Sequence, residues 1–309
     1  MSVERPTVCS VTEPAMGAEV TITTDAPTAA VRAALTIVST LERRWSRFSP
    51  SSEISIANRS GGTVVVHPLT AHVIEVALAG RAVTGGWFDP TRGAELVAAG
   101  YGRTFTEGWG ERGPTPRRHR GEVTVDADTA LVGVPAGISL DLGGIAKGWA
   151  ADLAATTVFE SGAVFVGVDI GGDVRVRSHD RAIVDVVAPG DEPGSPMRIG
   201  LRDGGVAVSG PTRRRDADGR HHLIDPFTGA PSLHPRVAVV VAASAAGAEM
   251  LATAAAIAPL TTACDLIDRA GATAWLVEAN GDVVAVGRPE RFVLDGGWLD
   301  EPARREWVV

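Results

Sequence analysis

Between residues 207 and 229 the chain reads AVSGPTRRRDADGRHHLIDPFTG, and GAEMLATAAA follows at 247–256. The histidine pair His221-His222 runs straight into Leu223-Ile224-Asp225-Pro226. A neutral imidazole, with a pKa near ~6.5, can take a proton from a hydroxyl nucleophile. Glu249 and Thr253 stand at i and i+4, one face of a helix. A carboxylate and a hydroxyl so placed can share one hard cation. Magnesium takes oxygen ligands at about 2.0–2.1 Å and leaves several positions to phosphate and water. A base, a tight loop and two hard oxygen ligands are the parts needed to act on a phosphoanhydride. Taken singly, the same residues also suit helix capping, solvation and an ordinary Asp-Pro turn.

Two further stretches carry chemistry. DLGGIAKG at 141–148 pairs Gly143 and Gly144 with the start of a helix, where free N–H groups and the helix dipole favour an anion. Lys147 adds a positive charge one turn in. The spacing is that of neither a Walker A loop nor GxGxxG, and a plain strand-to-helix turn with an exposed lysine is the bland alternative. GGWFDPT at 85–91 sets Trp87, Phe88 and Asp89 beside paired glycines. This offers a flat apolar surface and an acceptor for a planar aromatic ligand, or simply two core rings.

The elements that must hold these residues read as a mixture. Residues 17–24 alternate like a half-buried strand, and 28–44, 69–84 and 144–161 show helical spacing. GEVTVDADTALVGVP resembles two short strands around a turn, and FVGVDIGGDVRV a strand, a Gly-Gly turn and a strand. Strands are expected at 181–188, 197–202, 236–243 and 273–278, with helices from Ser244 to about Ala258 and at 261–270. Residues 103–121, rich in Gly, Pro and Arg, read as an exposed excursion. Without strict βαβ alternation the expected class is α+β, helices packed on mainly antiparallel sheets.

Composition narrows the field. The chain has 309 residues, 45% hydrophobic, with a net charge of −8, enough for a substantial core and a poor match to nucleic acid. The arginine groups Arg117, Arg118, Arg120 and Arg213, Arg214, Arg215 lie in polar stretches and read as solvated loops. Two cysteines, Cys9 and Cys264, exclude a disulfide framework or a cysteine zinc site. MSVERPTV ahead of Cys9 has no apolar core of a cleaved signal, and no run of about 18 apolar residues occurs. The expectation is a cytoplasmic protein with no membrane insertion.

Taken together and in order, the segments resemble the ApbE family of FAD:protein FMN transferases. The matching pieces are Met16-Gly17, WSRFSPSSEISIAN (45–58), GGWFDPT (85–91), ISLDLGGIAKGWAAD (138–152), VGVDIGGDV (166–174), VSG (208–210), HHLIDPFTGAP (221–231) and AEMLATA (248–254). The resemblance implies a flavin pocket between two lobes. It implies Mg²⁺-dependent transfer of FMN from FAD to a Ser or Thr hydroxyl of a target flavoprotein domain, with AMP leaving. It maps metal ligation onto Glu249, Thr253 and the Gly144 carbonyl. It maps FAD contacts onto Met16, Phe48, Trp87, Phe88, Asp89, Asp141, Lys147 and Leu223, and His222 is the candidate base.

The chain departs from the family pattern in three ways. Glu249 stands where Asp is usual. Val208 stands where the family has Thr. The lipoprotein export signal frequent in the family is not expected from MSVERPTV. Two other functions stay open on these grounds, an FAD pyrophosphatase giving FMN and AMP, and a non-catalytic FAD-binding protein. The expected layout is an N-terminal extension (1–15), one catalytic domain (16–287) and a C-terminal tail (288–309).

Overall fold

The computed structural model describes residues 7–104, 108–114, 116, 121–187, 195–211, 221–233 and 235–297. Both arginine groups, and the ends of the expected extension and tail, lie outside the described residues.

A large sheet organises the chain. Its order is β1 (Cys9–Ala15), β2 (Ala18–Thr24), β6 (Phe165–Ile170), β7 (Asp173–Val186), β8 (Met197–Ser209), β9 (Val237–Ala242), β10 (Thr273–Val277) and β11 (Val283–Val286), with β12 (Val293–Asp295) also paired to β8. All its pairings are antiparallel, as the sequence led us to expect. A second sheet, β3 (Thr63–Val65), β5 (Leu131–Gly133) and β4 (Thr124–Asp126), has three strands. The helices are α1 (Thr28–Trp45), α2 (Glu53–Ser60), α3 (Pro68–Val83), α4 (Gly93–Ala98), α5 (Ala146–Glu160), α6 (Ala245–Ile257) and α7 (Leu260–Arg269).

Strand β9 shows why the middle of the sheet is apolar on every residue. Ala238 and Val240 face α6 and α7, while Val237, Val239 and Val241 face a second core with Val184, Met197, Ile199 and Trp275. A strand covered on both faces has no solvent side, so alternation disappears. The third core packs α1, α3 and α5 against β2 and β6.

The structure differs from the sequence expectation in places. The strand expected at 181–188 is the end of β7, one long strand whose register to β8 shifts between Arg177 and Ala182. Residues 9–15, expected as part of an extension, form an edge strand on β2. Within the expected tail, β12 pairs with the first half of β8. Short helices α2 and α4 have too few turns to show a period.

Candidate active site

Helix α6 carries Glu249 and Thr253, and α5 fixes where α6 begins. Asp152 on α5 accepts hydrogen bonds from the first N–H groups of α6, Ala245 at 2.9 Å and Ala246 at 3.0 Å. Ser244 caps the same end through the Gly247 N–H at 3.0 Å. The two helices approach so closely at Gly148 that a Cβ there would sit 2.4 Å from the Ala245 carbonyl oxygen. The Gly148 N–H donates to Glu249 Oε2 at 2.9 Å. Glycine is required at 148 by this approach, which brings the Glu249 carboxylate onto the first turn of α5.

Glu249 is buried and shares the ammonium of Lys147, 2.6 Å from its Oε1, with Asp173 of β7. Burial pulls the Lys147 pKa down, but the two carboxylates outweigh it and hold the ammonium above the usual lysine range. Burial pushes Glu249 up to about 8, with Lys147 opposing and Asp173 adding to the rise. The Lys147 direction follows from two carboxylates on a single ammonium, and the Glu249 direction follows first from burial. The reading of Lys147 as an exposed lysine on a simple turn is therefore corrected, because its charge is taken inward.

The DLGG segment is held from both sides. Asn58 of α2 bonds the Leu140 backbone twice, Nδ2 to the carbonyl at 2.9 Å and Oδ1 from the N–H at 2.7 Å. The Asp141 N–H donates to the Pro90 carbonyl at 2.8 Å. Residues 138–141 are thus pinned by side chain and loop, with only an isolated bridge from Ser139 to Arg92 in place of the strand end expected before the glycines. Asp141 pairs with Arg47 and accepts the Gly143 N–H at 2.6 Å, so this N–H is not directed outward. A Cβ on Gly144 would lie 3.0 Å from the Phe88 ring and 3.2 Å from Thr253 Oγ1. The absent side chain thereby sets the Gly144 backbone against the Thr253 hydroxyl.

A cavity opens over this junction. Trp87, Phe88, Asp89, Asp141, Gly144, His222, Leu223 and Thr253 all line it, with Tyr101 and Arg92. Most of the residues singled out from the sequence therefore meet around one space. The histidines divide: His221 is buried, its Nε2 3.1 Å from the Ser232 carbonyl and its Nδ1 accepting the Leu223 N–H at 3.3 Å. His222 faces the cavity, its ring 5.7 Å from that of Tyr101. Trp87 meets Phe227 edge-on at 4.7 Å. Asp89 is almost fully buried and already holds the Thr91 hydroxyl at 2.6 Å, Arg92 at 3.0 Å and Arg81 at 3.2 Å.

Four predicted residues lie off the cavity wall. Glu249 and Lys147 form the polar cluster one helical turn from Thr253. Phe48 is partly exposed and lies under the Arg47 guanidinium at 4.1 Å. Arg47 also donates to the Tyr101 carbonyl at 2.5 Å, which ties Phe48 to the cavity. Met16 occupies the β1–β2 turn with φ 55, a left-handed conformation uncommon outside glycine. Arg47, Tyr101, Arg92 and Asp173 were not singled out in the sequence. Tyr101 is the chain's one tyrosine, and Arg47 and Asp173 sit inside the matched segments, but only tertiary contacts reveal their partners.

The donor set suits a hard cation. Thr253 Oγ1, the Gly144 backbone and the Glu249 carboxylate are oxygen donors on adjoining elements. Two of the roughly four acceptor positions of a carboxylate are used at Glu249. Among the described residues no group of three or more His, Cys, Asp or Glu converges on one point.

The sequence profile of the ApbE family matches residues 16–275. The chain is 31% identical over 283 residues to an FAD:protein FMN transferase of Treponema pallidum, covering 78% of this chain and 75% of that one. It is 28% identical over 216 residues to an FAD:protein FMN transferase of Vibrio cholerae, covering 64% of each. Among solved structures, the ApbE protein of Thermotoga maritima superposes with a TM-score of 0.84 at 25% identity, covering 94% of this chain and all of that one. The flavin transferase ApbE of Vibrio cholerae superposes at 0.76, covering 93% and 99%, and at 21% identity it speaks for the fold.

Proposed function

The chain belongs to the ApbE family, and from that premise we propose that it is an FAD:protein FMN transferase. FAD is the donor substrate, a Ser or Thr hydroxyl of a target flavoprotein domain is the acceptor, and AMP is the product released. The observation that carries this reading is the shared cavity of His222, Thr253, Gly144, Trp87 and Leu223.

In this reading Trp87, Phe88 and Leu223 give the isoalloxazine an apolar wall. Asp141 lines the approach to the pyrophosphate, Lys147 acts from behind the wall through Glu249, Met16 and Phe48 close the rim, and Asp89 keeps the Trp87-Phe88 loop in place through Thr91 and Arg92. His222 receives the proton of the acceptor hydroxyl as its oxygen bonds to the FMN phosphorus and the bond to the AMP oxygen breaks. Glu249, Thr253 and the Gly144 carbonyl would hold Mg²⁺, which neutralises pyrophosphate charge.

The test is incubation with FAD, Mg²⁺ and a candidate acceptor domain. Flavin fluorescence that stays on the denatured acceptor, with AMP in equal amount, supports transfer. FMN and AMP formed at the same rate without an acceptor would identify a pyrophosphatase. FAD bound but intact across a panel of acceptors would identify a binding protein.

A further inference from the structure

Asp173 has no part in the chemistry above, yet it is 3% exposed and its carboxylate is spent on Lys147. Its position is firmly built. It opens β7 directly after the Gly171-Gly172 turn, where φ is 62° and 94°, and is paired with Ile170 across the hairpin. Asp169 Oδ1 accepts the Gly172 N–H at 2.7 Å and fixes the turn. Lys147 comes from the first turn of α5, and Glu249 from α6. Three elements thus bring two carboxylates to one nitrogen.

A lone Lys147–Glu249 pair would be neutral. Such a pair would oppose a cation at Glu249, because the ammonium would already cancel its charge. Asp173 changes that balance. It draws on the same ammonium and leaves the cluster with one negative charge in excess. We propose that Asp173 is a positioning residue: by engaging Lys147, it leaves the Glu249 carboxylate charge available to the cation. The inference rests on the cation assignment to Glu249 and Thr253. It concerns the cation-bound state, in which Glu249 must be ionised, and the cluster's charge is then −1 in the wild type, 0 in Asp173→Asn, −2 in Lys147→Gln and −1 in the double variant.

The experiment is a titration of Mn²⁺ into the full chain, read by electron paramagnetic resonance of the free ion. Removing the buried charge that shares the Lys147 ammonium with Glu249 should weaken Mn²⁺ binding by roughly tenfold in Asp173→Asn. Lys147→Gln should bind at least as tightly as the wild type, and the double variant should return close to wild-type affinity. That rescue separates a charge effect from a loss of structure, since a damaged site gains nothing from a second substitution. An unchanged Kd in Asp173→Asn, or a double variant as weak as that single one, overturns the role of Asp173. If Asp173→Asn does not fold, Lys147→Gln decides alone: weaker binding than wild type rejects the charge count. A wild-type chain that binds no Mn²⁺, with or without FAD, removes the cation assignment itself and this inference with it.

Discussion

His221 and His222 are neighbours in sequence with opposite tasks. His221 is buried and pins its own loop through Ser232 and Leu223, while His222 looks into the cavity beside Tyr101. Replacing His222 with Ala should lower transfer by roughly 10²–10⁴-fold, the range for loss of a general base, with FAD affinity nearly unchanged. Single-turnover transfer and an FAD titration check this; a wild-type transfer rate rejects His222 as base. Thr253→Val keeps the shape of the side chain and removes only its oxygen. It should abolish turnover yet retain some FAD binding, whereas full activity in the variant removes Thr253 from the cation site. The candidate residues were legible because they sit in short local segments. Arg47 was not: its meaning lies in Asp141 and Tyr101, 94 and 54 residues away. The fate of the Lys147 charge was hidden in the same way, since Asp173 and Glu249 reach it from other elements.

Helix α6 delivers two of the proposed cation ligands, and its register is set by α5 rather than by its own surface. Asp152 caps it, and Gly148 allows it to approach. Gly148→Ala would place a Cβ 2.4 Å from the Ala245 oxygen and 2.6 Å from the Ala246 nitrogen, both rigid backbone. The expected cost is about 1–3 kcal/mol of stability, measured by denaturant unfolding, together with loss of activity from a displaced Glu249. A variant with wild-type stability and activity would show that the contact is slack. At this scale the sequence was informative wherever one face meets solvent or caps mark an end. Ser244 and Pro259 bracket α6, and β2 shows clean alternation. Periodicity failed for residues 138–141, which Asn58 and Pro90 hold outside any strand, and for β7, whose register shift looked like the gap between two strands.

The molecule as a whole joins a broad antiparallel sheet to a layer of helices, with the cavity where the 85–92 loop, the DLGG turn, the His222 loop and α6 meet. Among the described residues no helix is long and apolar enough to cross a membrane. A site assembled from four segments should couple ligand binding to global stability. FAD at about 100 times its dissociation constant, with Mg²⁺ present, should add about 2.7 kcal/mol and raise the melting temperature by several degrees. A chelator should reverse the part contributed by the metal, and melting curves that ignore both ligands would contradict such coupling. The overall class was legible from the mix of strand and helix signals, but the meeting point was not, because no local pattern records which loops share one edge. The decisive measurement is an anomalous difference map from crystals grown with FAD and Mn²⁺. The account predicts one manganese peak among the Gly144 carbonyl, Glu249 and Thr253, beside the FAD pyrophosphate, with His222 facing the same phosphorus. A pyrophosphate bound elsewhere, or manganese at a separate location, would contradict it.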